Sequence, residues 1–173
     1  RCEVRLFAKN LATGAVFGRG EDDPVRSAST IKLAIMVEAF DRVARGAARW
    51  DEPLTLTADA KVSGAGILPE LAPGLRLTLR DAVHLMIVLS DNTATNLVVD
   101  RLGADAVNER MDVLGFPQTR LMRKGMGGGD SRAGLLPENR RFGLGRTTAR
   151  EMVSLLERLE RGEIVSRDAS AEM

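Results

Sequence analysis

The chain has 173 residues, of which 44% are hydrophobic and 28% charged, so it is long enough for one domain with a real core and is not wholly disordered. The 25 Lys and Arg residues stand against 24 Asp and Glu residues, and a formal net charge of +1 gives no global electrostatic case for binding nucleic acid or an acidic membrane. Aromatic residues make up only 3% of the chain, which argues further against a base-stacking surface.

The rarer residues exclude further classes of site. The single cysteine, Cys2, cannot form an internal disulfide, and the single histidine, His84, has no cysteine near it, so we predict no metal and no cofactor. With one histidine, a Lys-activated nucleophile is a better expectation than a Ser-His-Asp triad. No apolar run approaches the roughly 18 residues of a membrane span, and we expect any signal peptide to be absent or already removed.

The N-terminal third predicts a hairpin followed by a buried helix. Residues 3–9 and 15–19 have strand-like composition and are separated by the turn signal Thr13-Gly14, which predicts a β-hairpin. Residues 27–46 predict one helix that is apolar on nearly every face, a pattern typical of the centre of a protein. Such a helix is an unusual place for a lysine such as Lys32.

The rest of the chain predicts helices separated by irregular segments. Proline and glycine interrupt residues 51–80, which we expect to be extended or looping. Helices are predicted over residues 79–89, 93–102, 104–114 and 147–161. His84 falls in the first of these helices and is predicted to be packed rather than catalytic. Residues 120–146 are glycine-rich without clean periodicity and predict a long loop.

The tetrad Ser29-Thr30-Ile31-Lys32 stands at the start of the buried helix. Positions three apart share a helix face, so the Lys32 amine can lie over the Ser29 hydroxyl. Apolar surroundings lower the pKa of a lysine, and a partly neutral amine can take the hydroxyl proton and leave an alkoxide nucleophile. The backbone N–H of Ser29 can also donate to a developing oxyanion. Alone, the tetrad is better interpreted as a helix cap with a lysine that reaches solvent.

The tripeptide Ser90-Asp91-Asn92 stands at a break between two predicted helices. A hydroxyl there can relay a proton, an amide can donate to a substrate carbonyl, and Asp91 can brace the turn through hydrogen bonds to the backbone. On its own, this tripeptide is also compatible with a simple helix N-cap.

Taken together and in this order, the two motifs and their flanks resemble the class A β-lactamase and penicillin-recognising serine hydrolase family, over most of residues 3–166. The resemblance implies a β-lactamase-like α/β (α+β) fold. Residues 1–26 would form an N-terminal hairpin of the sheet subdomain, residues 27–162 the helical subdomain, and residues 163–173 the start of a truncated C-terminal sheet subdomain. The C-terminal strands of the sheet are expected to be missing.

The resemblance also implies roles for four residues. Ser29 would be the acylated nucleophile, Lys32 its proton partner, Ser90 the proton shuttle to the β-lactam nitrogen, and Asn92 the residue that binds the substrate amide. Residues 64–67 would lie near the rim of the site. The implied function is that of a serine hydrolase that forms an acyl-enzyme on Ser29 and hydrolyses β-lactams. The substrate would be a small-molecule β-lactam or a peptidoglycan-like compound, which implies a secreted or periplasmic protein.

The chain departs from the family at the loop that precedes residue 147. The family has Glu-Pro-x-x-Asn there, and its Glu activates the deacylating water. Here the stretch reads Leu135-Leu-Pro-Glu-Asn139, so that Leu135 stands in place of the Glu if Asn139 matches the family's Asn. Glu138 directly precedes Asn139 and could still serve. Without such a base the acyl-enzyme would persist, as in a penicillin-binding D-Ala-D-Ala peptidase or esterase-like protein with slow deacylation.

A second departure concerns the third family motif, because no Lys-Thr-Gly or similar triplet follows Asn92. Three explanations stay open: a fragment of a longer polypeptide, a half-protein whose missing strands come from a partner segment, and a non-catalytic scaffold. Separately, residues 120–150 hold eight basic residues against Asp130 and Glu138. This charge indicates either a solvated loop or attraction of an anionic substrate.

Overall fold

The computed structural model describes residues 3–125 and 127–173, so Cys2 lies outside the described residues. A mixed α/β architecture, with a helical body and three small antiparallel sheets, confirms the predicted fold class. The elements are β1 (Leu6–Lys9), β2 (Val16–Arg19), β3 (Val25–Arg26), α1 (Ile31–Ala44), β4 (Pro53–Thr55), β5 (Arg76–Thr78), α2 (Leu79–Val88), α3 (Asn92–Leu102), α4 (Ala104–Val113), β6 (Arg120–Leu121), α5 (Arg132–Leu135), β7 (Gly145–Thr147), α6 (Ala149–Glu160) and α7 (Arg167–Glu172). Short 3-10 helices span Ala28–Thr30, Leu68–Glu70 and Pro137–Phe142.

Helix α1 forms the centre of the molecule, as its all-round apolar sequence predicts. It contacts α2, α3 and α4, and the side chains of Ile31, Ile35 and Val37 are fully buried. Because α1 is covered on several sides, the residues at its N-terminal end are held against the turn between α2 and α3.

Helices α2, α3 and α6 begin at side-chain caps. Thr78 and Asp81 form a reciprocal capping box at the start of α2, and Thr148 accepts a hydrogen bond from the Glu151 N–H at the start of α6. Asp91 accepts from the Ala94 N–H and caps α3. These caps satisfy N–H groups that lack partners within the helix, which sets the starting residue of each helix.

The predicted N-terminal hairpin is present as β1 and β2, which pair antiparallel. It lies against α6, where Lys9 forms an ion pair with Glu157 at 2.7 Å and the Arg150 guanidinium stacks over Phe7. Phe17, which lies on the other strand, is 64% exposed. The hairpin therefore packs through one face and leaves apolar surface uncovered.

The prediction of one long loop over residues 120–146 is wrong in part. The segment contains β6, α5 and a 3-10 helix, and it ends in β7, which lies between β3 and β6 in a three-stranded antiparallel sheet. These strands are only two or three residues long and pair with partners far away in the chain, so they leave no periodic signal in the sequence. Strand β3 was not predicted for the same reason.

One other expectation is wrong: His84, predicted to be packed, is exposed on α2. Residues 163–173 contain α7, and their assignment to the start of a C-terminal sheet subdomain stays a prediction. Arg80 on α2 forms an ion pair with Glu172, which ties α7 to the helical body. Within the C-terminal segment, the Ser170 hydroxyl donates to the Ile164 carbonyl at 2.7 Å. No described helix has the length and apolarity of a membrane span.

Gly134 of α5 lies very close to the backbone that follows β6: an added Cβ would lie 2.0 Å from the Met122 carbonyl oxygen. We predict that Gly134→Ala lowers the free energy of unfolding by about 2 kcal/mol or more, because α5 must move away from that oxygen. Gly125→Ala is the matched control, since its nearest contact would be an ordinary 3.5 Å. Urea denaturation of both variants tests this. Equal effects would contradict the packing described.

Candidate active site

Ser29 lies in the 3-10 turn Ala28–Thr30 that leads directly into α1. Ala28 has a φ of +46°, a left-handed conformation that costs a non-glycine residue energy and turns the chain sharply before Ser29. Ser29 is exposed, whereas Lys32 is only 2% exposed. The hydroxyl therefore meets solvent, and the amine one turn further lies in the interior.

The Lys32 ammonium points at the turn between α2 and α3. It donates to the Ser90 carbonyl at 2.7 Å, to Ser90 Oγ at 2.9 Å and to Asn92 Oδ1 at 3.0 Å. Burial lowers the pKa of Lys32 because it penalises the charged form, and the negative charge of Asp91 opposes this shift. The amine is thus closer to neutrality than a surface lysine and has three oxygen acceptors around it.

Ser90 bridges the lysine and the exposed serine. Its Oγ accepts from Lys32 and donates to Ser29 Oγ at 3.0 Å. Among the described residues no direct Lys32–Ser29 hydrogen bond forms, so the amine reaches the Ser29 hydroxyl through Ser90. Ser90 has a φ of +53°, a second left-handed residue at the site, and this conformation aims its hydroxyl at Ser29.

Asp91 holds this turn in place. Its carboxylate is fully buried and accepts from the Ile67 N–H at 2.7 Å, the Leu68 N–H at 2.9 Å and the Ala94 N–H at 2.8 Å. An added Cβ on Gly66 would lie 2.2 Å from the Asp91 carboxyl carbon, so only glycine allows this approach. The bracing role that the sequence suggested for Asp91 is therefore seen as three hydrogen bonds to backbone.

Asn92 is fixed from two sides. Its Oδ1 accepts from Lys32, and its Nδ2 donates to the Ser63 carbonyl at 3.3 Å. The Asn92 N–H donates to the Ala65 carbonyl at 3.0 Å, and Gly64 leaves room for the Asn92 amide. Residues 63–66 thus form one wall beside the turn, as the resemblance implied for residues 64–67. The contact from Ser63 was not predicted, because a backbone carbonyl carries no sequence signal.

The loop residues considered for deacylation are not hydrogen-bonded to this cluster in the described part of the chain. Leu135 is 65% exposed and Glu138 is exposed. Asn139 is buried, and its amide is occupied within the loop: Nδ2 donates to the Ala133 carbonyl at 2.9 Å, and Oδ1 accepts from Arg146 at 3.4 Å. The described residues also contain no group of three His, Cys, Asp or Glu side chains placed to hold a metal ion.

The structure thus brings together Ser29, Lys32, Ser90 and Asn92, the four residues singled out in the sequence. Three groups lie next to one another in space: the exposed Ser29 hydroxyl, the bridging Ser90 hydroxyl and the buried Lys32 amine. The Asn92 amide is fixed beside them. Such a set can deliver and return a proton at a reacting carbonyl.

Comparison with protein families identifies the family of this chain. The model of the Beta-lactamase enzyme family matches residues 1–173, which is the whole chain. No curated protein sequence matches.

Comparison with solved structures gives similar proteins of the same kind. A beta-lactamase from Sphaerobacter thermophilus is 34% identical, with a TM-score of 0.79 over 92% of this chain and 57% of that one. PBP-A is 31% identical, with a TM-score of 0.82 over 97% and 59%. A leucine-to-glutamate variant of PBP-A, solved as an acyl-enzyme complex with penicillin-G, is 30% identical, with a TM-score of 0.80 over 96% and 59%. This chain therefore spans less than two thirds of the length of these structures.

The buried Asp91 carboxylate gives a prediction about stability. Asp91→Ala leaves three backbone N–H groups without an acceptor, and we expect the free energy of unfolding to fall by about 3 kcal/mol or more. Asp112→Ala is the control, because Asp112 is exposed and its ion pair with Arg120 contributes about 1 kcal/mol at most. Chemical denaturation of both variants measures the two losses in the free energy of unfolding. A loss at Asp91 no larger than at Asp112 would refute the bracing role.

Proposed function

Because this chain belongs to the beta-lactamase enzyme family, we propose that it is a serine hydrolase of the β-lactamase and penicillin-binding type with Ser29 as its nucleophile. The observation that carries the proposal is the hydrogen-bond chain from Lys32 through Ser90 Oγ to Ser29 Oγ. Lys32 and Ser90 serve the proton transfers, and Asn92 serves to bind the amide of the substrate.

The chemistry follows from the direction of proton transfer along this chain. When Lys32 is neutral, its amine accepts the Ser90 proton and Ser90 Oγ accepts the Ser29 proton, so the hydroxyls reverse the direction in which they donate. Ser29 Oγ then attacks the carbonyl carbon of the β-lactam, and a C–O bond forms. As the C–N bond of the lactam breaks, the proton returns through Ser90 to the leaving nitrogen. The product is an ester on Ser29, with no net change in protons.

The substrate class we propose is a β-lactam or a peptidoglycan-like amide. The penicillin-G acyl-enzyme of the PBP-A variant supports this for a protein 30% identical to this chain. Such substrates lie outside the cytoplasm, so we propose a secreted or periplasmic location. We further propose that a segment supplying the missing strands covers the hairpin, which leaves Phe17 64% exposed and Val16 61% exposed.

The fate of the acyl-enzyme separates two candidates, β-lactam hydrolysis and a penicillin-binding, peptidase-like reaction with slow deacylation. The second is favoured by the loop if Asn139 matches the family's Asn, because Leu135 then stands in place of the family's Glu and the Asn139 amide is occupied by Ala133 and Arg146. Glu138 is exposed and has no hydrogen bond to the Ser29, Lys32 and Ser90 cluster in the described structure, so a water at this site would lack a fixed carboxylate base and the ester would persist.

Intact-mass spectrometry after exposure to benzylpenicillin tests the proposal. We expect a covalent adduct of one penicillin on Ser29, located by peptide mapping and absent from Ser29→Ala. With slow deacylation the adduct stays for many minutes, whereas rapid nitrocefin turnover would favour hydrolysis. If neither the 173-residue chain nor a longer polypeptide containing it forms the adduct, the proposal is wrong and a non-catalytic scaffold remains.

The bridging position of Ser90 gives a second prediction. Ser90→Ala removes the only hydroxyl that connects Lys32 to Ser29 among the described residues, so we expect acylation to slow by a factor on the order of 10² to 10⁴. Thr30→Ala is the matched control, because in the described structure that neighbouring hydroxyl donates to the Ser27 carbonyl and not to Lys32, Ser90 or Ser29. Stopped-flow or quench measurement of adduct formation compares the two. Similar rates for both variants would show that the proton takes another route.

A further inference from the structure

The eight basic residues of residues 120–150 divide into two sets. Four of the eight form ion pairs with carboxylates of other elements: Arg120 with Asp112, Lys124 with Asp100, Arg132 with Asp105 and Glu109, and Arg150 with Glu21 and Asp22. The other four have no ion pair among the described residues, and Arg26 on the neighbouring strand β3 shares this property. We call these five the basic loop face: Arg26, Arg123, Arg140, Arg141 and Arg146.

The strand register brings like charges together on this face. Arg146 on β7 lies directly opposite Arg26 on β3 and Arg120 on β6. Directly opposed residues of antiparallel strands share a face of the sheet, and like charges there are unfavourable. Burial lowers the pKa of Arg146, and the positive charges of Arg120 and Arg141 lower it further, whereas the negative charge of Glu151 raises it. A counter-charge from outside would relieve this repulsion.

The exposed guanidiniums are held by their own contacts. Arg141 stacks over the buried Phe142 ring at 4.6 Å, and Arg26 Nε donates to the Arg141 carbonyl at 2.5 Å. The acidic residues nearby are Asp130 and Glu138, both exposed, so five positive charges meet two negative ones. Glu151 is half-buried and already accepts from the Gln118 N–H and the Thr119 hydroxyl.

Two large apolar side chains stand beside these arginines. Leu135 and Leu136 are 65% and 47% exposed, and both precede the 3-10 helix that carries Arg140 and Arg141. Leu135, Arg123 and Arg140 line one shallow depression. Uncovered leucines next to cations without counter-charges are typical of surfaces that insert into the headgroup region of an anionic bilayer.

We propose that the basic loop face, together with Leu135 and Leu136, docks this protein on the surface of an anionic lipid bilayer. The arginines contact acidic headgroups, and the leucines enter the acyl boundary. A nucleic acid is disfavoured as the occupant, because Phe142 is the only aromatic residue of residues 132–147 and lies buried beneath Arg141, where it cannot stack on a base. A soluble polyanion would also leave the leucines without a partner.

Vesicle sedimentation of the full chain tests the docking surface. We expect binding to vesicles of 70% phosphatidylcholine and 30% phosphatidylglycerol, weak or no binding to pure phosphatidylcholine, and loss of binding as salt rises from about 50 to 500 mM. Equal binding to both vesicle types, or no binding to either, overturns the proposal.

Matched variants separate the two components of the surface. Arg140→Gln with Arg141→Gln should weaken partitioning roughly 30-fold, and Leu136→Ser about tenfold. The controls are Arg19→Gln with Arg76→Gln, which are exposed arginines on β2 and β5 without ion pairs in the described structure, and Leu156→Ser on α6, where the leucine is 46% exposed. Thermal melts check that all variants fold.

Two results of the variant series overturn the bilayer proposal. One is a loss of binding in the control variants as large as in the loop variants. The other is undiminished vesicle binding by Leu136→Ser, together with equally tight binding of soluble polyphosphate by the unsubstituted protein and by Leu136→Ser. That second result would assign the surface to polyanions instead.

Discussion

The contact between the Lys32 ammonium and the Ser90 turn is the interaction on which the site depends. It links the start of the central helix α1 to the junction of α2 and α3, and it takes place where Lys32 is 2% exposed. A charged amine in such a place must be fully hydrogen-bonded or lose its proton. The structure supplies three oxygen acceptors to Lys32, and burial lowers the pKa of its amine. The same lysine is therefore stable in the interior and closer to the neutral form that can accept a proton.

The surrounding structure offsets the backbone strain that accompanies this contact. Ala28 and Ser90 both adopt left-handed backbone conformations beside the contact, and strain of this kind persists only where the neighbours over-determine the geometry. That role belongs to Asp91, whose buried carboxylate ties residues 67 and 68 to the α3 N-terminus, and to Gly66, which admits the close approach. The wall that orients Asn92 is therefore part of the same rigid unit as the turn that carries Ser90.

Much of this could be predicted from the sequence because the informative signals are local. The all-round apolar sequence of α1, the Ser90-Asp91-Asn92 tripeptide as a helix start and the Ser29–Lys32 spacing all act within a few residues. The resemblance of the chain to the family is confirmed by the family match. The route from Lys32 to Ser29 through Ser90 could not be predicted, since helical spacing alone suggests a direct contact. The β3–β7–β6 sheet was also missed, because its strands are only two or three residues long and β3 pairs with β7 across more than a hundred residues. The exposure of His84 depends on which side of α2 lies uncovered, and an apolar helix sequence does not reveal that.

The central claim is that Lys32 can give up its proton in the folded protein at a lower pH than an ordinary lysine. Nitrogen-15 NMR of the lysine side-chain amines, with Lys32 assigned by its loss in Lys32→Arg, measures this directly over a pH titration. We expect a Lys32 pKa clearly below about 10.4, the value of an unperturbed lysine side chain. A Lys32 pKa equal to or above that value would contradict the claim.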